Sequence, residues 1–266
     1  MMANKISVGL IQMDVLWGDP LGNIEKAKEM LNSIEDCDVA VLPELWSCSY
    51  QNERLSEHAQ FTHKCLDVVA NWCVDRASWS LAGSLPFSEG GALYNRAFWI
   101  DPTGTLVAYY DKVHLFPLLE EPSNFVAGNS PLITSVCGVP SGTAICYDIR
   151  FPEYIRRIAL EDVWVLFVCA QWPLSRIDAW KTLVRARAIE NQMFVVAVNR
   201  CGKGGGDIYG GHSTVVAPDG QVLMEMELDE GVVTVELDMA ILHRTRKVMR
   251  VFDCRRKDLY GFPGEI

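Results

Sequence analysis

Val163-Trp164-Val165-Leu166-Phe167-Val168-Cys169-Ala170 is the longest apolar run in the chain, and Gln171-Trp172-Pro173 follows it at once. Eight residues fall far short of the roughly 20 that a helix needs to cross a bilayer. A short run with no polar alternation reads instead as a β-strand covered on both faces. Similar runs lie at Ile6–Ile11, Val39–Leu42, Leu81–Gly83, Ala97–Ile100, Gly142–Cys146 and Phe194–Val198. Helical patterns separate them: Ile24, Ala27, Leu31 and Ile34 behind Asn23; Ala59, Cys65, Leu66, Val69, Ala70 and Cys73 behind Ser56; then Tyr154–Leu160 and Trp180–Glu190. Strands alternating with helices make an α/β protein.

Two segments break this rhythm. Asp101-Pro102-Thr103-Gly104 and Ala217-Pro218-Asp219-Gly220 sit between apolar runs, each with Pro two residues before Gly. Pro presets φ at the second turn position and Gly closes the turn, so both read as hairpins. The pairs lie 116 residues apart, which points to duplication of a strand, helix and hairpin unit, with two similar halves stacked sheet on sheet. Coincidence is the alternative, because such turns are common in β-rich chains. No linker divides the chain, so residues 1–266 read as a single domain. Gly202–Gly206 is the one glycine-rich stretch without adjoining apolar residues, either a mobile lid or a turn.

The 266 residues carry 49% hydrophobic and 22% charged side chains, and their formal net charge of −10 repels nucleic acid phosphates and anionic headgroups. Nine cysteines without a C-x-x-C pair suit a reducing compartment, and residues 5–19 are too short and polar for a signal peptide. A cytoplasmic location is the expectation. The sequence contains no H-E-x-x-H, no P-loop, no G-x-S-x-G and no G-x-G-x-x-G, and its five histidines have no metal-ligand spacing. Neither cofactor nor metal is expected.

What remains is a set of ionisable residues where strands end. Val39–Leu42 runs into Pro43-Glu44, placing a carboxylate at the carboxyl edge of a strand, where open α/β sheets keep their sites. Tyr109-Tyr110-Asp111-Lys112-Val113-His114-Leu115-Phe116 sets Lys112 among aromatic and aliphatic neighbours, which favours a desolvated ammonium beside a counter-charge. Gly142–Ile145 turns polar after the thiol of Cys146. Singly, each has an ordinary reading: a solvated glutamate, a surface lysine, a small core cysteine. Together they supply a nucleophile, a base and a fixed cation, the set that amide hydrolysis through an acyl-enzyme requires.

With these residues in place, the sequence resembles the nitrilase superfamily, the carbon-nitrogen hydrolases, along nearly its whole length. The family's Glu-Lys-Cys triad falls on Val41-Leu42-Pro43-Glu44, Tyr110–Phe116 and Ile145–Glu153, with spacings of 68 and 34 residues. Gln171-Trp172-Pro173, Arg185–Gln192 and the glycine-rich loop leading to Ser213 match as well. The resemblance implies a four-layer α-β-β-α sandwich, a homodimer or larger homo-oligomer, and a second glutamate after the lysine. Glu120 and Glu121 both fit that place, and Glu121 is preferred. Cys-Tyr-Asp-Ile-Arg-Phe-Pro-Glu with Gln-Trp-Pro looks most like the omega-amidases, which hydrolyse the terminal amide of 2-oxoglutaramate and 2-oxosuccinamate. N-carbamoyl amino acids, deaminated glutathione and nitriles are alternative substrates, and a catalytically silent scaffold is the alternative of a different class.

A free thiol is only about 3% thiolate at neutral pH, so Cys146 needs Lys112 and Glu44 for activation. The resemblance adds the backbone N–H of Tyr147 as a donor to the developing oxyanion. A substrate carboxylate calls for a guanidinium, for which Arg176 is preferred; Arg150 reads first as a brace to Glu153 or Asp148 and second as a clamp. Trp46, Tyr50, Tyr147 and Trp172 are candidate pocket walls. The tail from His243 onward is basic, with Arg244, Arg246, Lys247, Arg250, Arg255, Arg256 and Lys257, and reads as an arm toward a neighbouring subunit rather than a nucleic-acid patch.

Overall fold

The computed structural model describes residues 4–260. Its strands are β1 (Lys5–Gln12), β2 (Val39–Val41), β3 (Trp79–Glu89), β4 (Ala92–Ile100), β5 (Leu106–Asp111), β6 (Leu132–Val136), β7 (Val139–Ile145), β8 (Val165–Ala170), β9 (Phe194–Asn199), β10 (Cys201–Gly204), β11 (Asp207–Gly210), β12 (Thr214–Val216), β13 (Val222–Glu225) and β14 (Gly231–Asp238). Its helices are α1 (Pro20–Ser33), α2 (Leu55–His58), α3 (Thr62–Arg76), α4 (Glu121–Asn124), α5 (Pro152–Ala159), α6 (Ile177–Asn191) and α7 (Met239–Val248).

Two six-stranded sheets run β14-β1-β2-β3-β4-β5 and β13-β12-β9-β8-β7-β6. Both repeat one pattern: three parallel strands, continued on one side by two antiparallel strands and flanked on the other by one. The Pro–Gly turns occupy corresponding places, joining β4 to β5 and β12 to β13. In each, the glycine N–H donates to the carbonyl three residues back at 2.9 Å, from Gly104 to Asp101 and from Gly220 to Ala217. The shared pairing order is what the two-half reading of the sequence expects.

Strand parity explains why the central runs are uninterrupted by polar residues. Val8, Leu10, Val39, Val41, Ala97 and Trp99 face the second sheet, and Ile11, Ala40, Leu42, Phe98 and Ile100 face α1 and α3. The second sheet packs its outer face on Ile155, Ile158, Val184 and Ala188 of α5 and α6. Across the middle, the Trp99 ring meets Phe167 edge-on at 5.0 Å, and its Nε1 donates to Thr143 Oγ1 at 2.8 Å. The layers are helices, sheet, sheet, helices.

Some boundaries differ from the expected ones. Asp19, not Asn23, caps α1: its carboxylate accepts from the Gly22 N–H at 3.0 Å and Pro20 occupies the first turn. Asn23 is buried and ties Leu16 to Ser47. Helix α3 starts at Thr62, because residues 55–61 form separate short turns. Gly202–Gly206 belongs to the β10–β11 hairpin, with Gly205 and Gly206 at φ of 59° and 88°. The basic tail folds back on its own chain, where Arg246 reaches Asp162 and the carbonyls of Val163 and Gln192. The final six residues of the expected arm lie outside the described residues.

Candidate active site

Three strand ends and the start of one short helix bring Glu44, Lys112, Cys146 and Glu121 together. Glu44 leaves β2 through Pro43, and β3 passes against this turn. A Cβ on Gly83, at φ +63°, would collide with the Pro43 carbonyl oxygen, so only glycine permits the approach. Lys112 follows β5, and Glu121 opens α4. Cys146 follows β7 with φ +49°, a left-handed conformation uncommon for cysteine, and the chain then winds into a short 3-10 turn. That turn sends the thiol off the end of its strand.

Glu44, Lys112 and Glu121 are fully buried, and Cys146 is 9% exposed. Lys112 Nζ lies 2.8 Å from Glu44 Oε1 and 2.7 Å from Glu121 Oε2. Tyr50 O–H is 2.7 Å from Glu44 Oε1 and 3.0 Å from Glu121 Oε1, and Asn95 Nδ2 donates to the same two oxygens at 2.9 and 3.0 Å. Phe116 N–H donates to Glu121 Oε2 at 2.6 Å. Glu44 Oε2 is buried and has no hydrogen-bond partner among the described residues.

Burial works against the charge of Lys112, but Glu121 and Glu44 outweigh it and hold the ammonium well above the usual lysine range. Burial raises Glu121 above the ordinary glutamate range, with Glu44 adding repulsion and Lys112 opposing both. Burial and then the Glu44 carboxylate push the Cys146 thiol far up, against the pull of Lys112 and of a hydrogen bond from the Gln171 backbone. Burial and the neighbouring carboxylate thus favour the protonated form of the sulfur.

Asp148 holds the nucleophile turn in place. Its Oδ2 accepts from Ile145 N–H at 2.9 Å and Tyr110 O–H at 2.8 Å; its Oδ1 accepts from His114 N–H at 3.0 Å and faces His114 Nδ1 at 2.8 Å. This carboxylate ties the end of β7 to the strand and loop that carry Lys112. Gln171 fixes the Glu44 turn in a similar way, since its amide donates to the Glu44 carbonyl and accepts from Ser49 Oγ.

A cavity of about 120 Å³ opens beside Cys146, lined by Phe116, Tyr147, Trp172, Arg150, Arg176 and Tyr209 among others. The volume lies below the range of about 300–1,000 Å³ typical of drug-sized ligands and suits a small acyl chain. Arg150 lies 4.6 Å over the Trp172 ring and Arg176 5.4 Å over Phe116. Neither forms an ion pair among the described residues. Arg150 is thus not the expected brace, since Asp148 already has its four partners. Trp46 is not a wall either, being sealed in the core with Nε1 on the Ala82 carbonyl. Tyr50 stands inside the carboxylate cluster, and of the two adjacent glutamates Glu120 is exposed whereas Glu121 joins the cluster. The described residues include no group of three or more His, Cys, Asp or Glu placed to hold a metal.

Reasoning from sequence misses Asn95 and the anchoring role of Asp148. Asn95 shares strand parity with Ala97 and Trp99, so it is a polar residue on an inward face, and such residues need partners there. That parity is the available signal.

A thiol, an ammonium and two carboxylates gathered where strands of two stacked sheets end are the groups that a hydrolase needs to cleave a carbon–nitrogen bond through a thioester. The chain belongs to the carbon-nitrogen hydrolase family, whose model matches residues 7–247. It is 38% identical over 261 residues to a 2-oxoglutaramate amidase of Bacillus subtilis, covering 96% of this chain and 100% of that one. It is 33% identical to the omega-amidase YafV of Escherichia coli K12, over 91% of this chain and 93% of the relative. A solved CN-hydrolase superfamily protein from Xanthomonas campestris, with an arsenic adduct in its active site, superposes with a TM-score of 0.90 at 31% identity, covering 95% and 98% of the two chains.

Proposed function

We propose that this protein is an omega-amidase that releases ammonia from the terminal amide of a short dicarboxylic acid such as 2-oxoglutaramate, through a thioester on Cys146. The observation that carries the chemistry is Glu44 Oε2, a buried carboxylate oxygen without a donor, in a cluster whose other carboxylate oxygens are all occupied. It is the group to take the Cys146 proton as sulfur attacks the amide carbon. Lys112 has three N–H donors; two are held by Glu44 and Glu121 at 2.8 and 2.7 Å, and the third makes only a long contact of 3.4 Å to the Tyr50 hydroxyl, which it can exchange for the developing oxyanion. Tyr147 N–H, at the first turn after the nucleophile, is among the amides that lack an intrahelical acceptor and serves as a second donor. Glu44 returns its proton to the leaving nitrogen, ammonia departs, and Glu44 then activates the water that cleaves the thioester.

The substrate class rests on the cavity and on the names of the relatives. Arg150 and Arg176 present guanidiniums that are unpaired among the described residues and held against aromatic rings, ready for a carboxylate at the far end of a short chain. The nine unbridged cysteines support a reducing, cytoplasmic setting. Ammonia release from 2-oxoglutaramate, deaminated glutathione and an N-carbamoyl amino acid is the test. The first is expected to react fastest, and Cys146→Ala is expected to lose at least about 10⁴-fold in turnover. No ammonia from the first compound rules out the omega-amidase reading, and full turnover by the variant rules out the mechanism.

A further inference from the structure

Four carboxylate oxygens meet in the cluster around Lys112, and their donors can be counted. Tyr50 brings one proton, Asn95 two, and Phe116 N–H one, while Lys112 brings three. Tyr50 and Asn95 each reach both glutamates, touching Oε1 of Glu44 and Oε1 of Glu121. Lys112 and Phe116 fill Glu121 Oε2. Glu121 therefore has no free oxygen, and Glu44 has one.

We propose that Tyr50 and Asn95 are positioning residues: their paired bridges hold Glu44 and Glu121 side by side with both Oε1 atoms occupied, so that Glu44 Oε2 alone can accept the Cys146 proton. When that proton moves from Sγ to Oε2, the electron pair of the S–H bond stays on sulfur and Glu44 becomes neutral. Tyr50 then has a charged acceptor still within reach in Glu121, so its O–H can follow the charge without leaving the cluster. The groups facing Glu44 come from every element around it. They are Lys112 after β5, Glu121 of α4, Tyr50 from the loop after β2 and Cys146 after β7; Cys169 of β8 and Tyr209 of β11 lie farther out, within the field of the Glu44 carboxylate. Burial, followed by the fields of Glu121 and Glu44, raises the Tyr50 phenol well above its ordinary range, which keeps it a donor throughout.

The inference builds on the proposed mechanism, and one of its assays needs no substrate. Tyr50→Phe removes only the O–H. A donor to a carboxylate favours the charged form, so its loss must shift protonation to higher pH. The acid limb of kcat/KM is expected to rise by about one pH unit, the scale of a hydrogen bond to a charged acceptor. The acid limb of Cys146 alkylation by iodoacetamide is expected to rise with it. Asn95→Asp exchanges a donor for another carboxylate in nearly the same volume and is expected to shift both limbs further in the same direction. A fall in rate with both limbs unmoved in either variant would show ordinary structural damage and overturn the proposal. Unchanged kinetics would overturn it too. If the wild type releases no ammonia, the functional reading fails, and the alkylation profile still decides the role of Tyr50 and Asn95.

Discussion

The two sheets repeat one pairing pattern, yet they feed the site through different strands. In the first, the second and fifth strands of the repeat, β2 and β5, end at Glu44 and Lys112, while β4 carries Asn95. In the second, the first and second strands, β7 and β8, end at Cys146 and Gln171-Trp172. The position corresponding to Cys146 in the first sheet follows Gln12, and Met13 there is sealed in the core. The halves also hold their groups differently. The first fixes its charges by nearly saturating them with buried hydrogen bonds, whereas the second fixes its thiol by a left-handed backbone turn and the anchor at Asp148. A repeated scaffold provides the common edge, and departures from the repeat provide the chemistry.

If the first half is held by its charge network, Lys112→Met has the largest effect there. It strands two buried carboxylates, with an expected loss of about 3–5 kcal/mol in urea unfolding, and removes an oxyanion donor, with an expected fall in kcat of about 10²–10³-fold. A stability change below about 1 kcal/mol, the scale of an ordinary hydrogen bond, would break the comparison. If the second half is held by its anchor, Asp148→Asn leaves N–H and O–H donors facing an amide N–H₂, and should cost about 1–3 kcal/mol. Its kcat should fall while KM holds, because the cavity wall is untouched; the reverse pattern in steady-state kinetics would place Asp148 in binding instead. The smallest effect is expected at the rim of the cavity. Arg176→Ala should raise KM for 2-oxoglutaramate about 10–100-fold with kcat nearly unchanged, the pattern for loss of uniform binding through a charged hydrogen bond. A simple uncharged amide should be indifferent to this variant, and equal losses on both substrates would remove Arg176 from carboxylate recognition.

Much of the scaffold is legible in the order of residues. Uninterrupted apolar runs locate the strands buried on both faces, and the Pro–Gly turns mark equivalent hairpins. Edge strands such as β6 and β14 escape notice, because one side of each is partly exposed and their apolar residues are diluted. Among the site residues, Glu44, Lys112 and Cys146 stand out because each ends or follows an apolar run. The roles of Tyr50 and Asn95 do not, since each is a relation between two carboxylates distant in the chain, and local pattern carries no record of such a relation.

By itself, the sequence determined which strands are buried on both faces and which chemical types are available, because burial on both faces leaves an uninterrupted apolar run, while the four-layer stacking came from the family resemblance. Only the tertiary structure decided which carboxylate oxygen stays unpaired and which adjacent glutamate joins the cluster. It also decided that Arg150 faces the cavity instead of bracing a loop. Those outcomes depend on hydrogen-bond distances of about 3 Å between groups far apart in the chain, and packing of the two sheets against each other sets them.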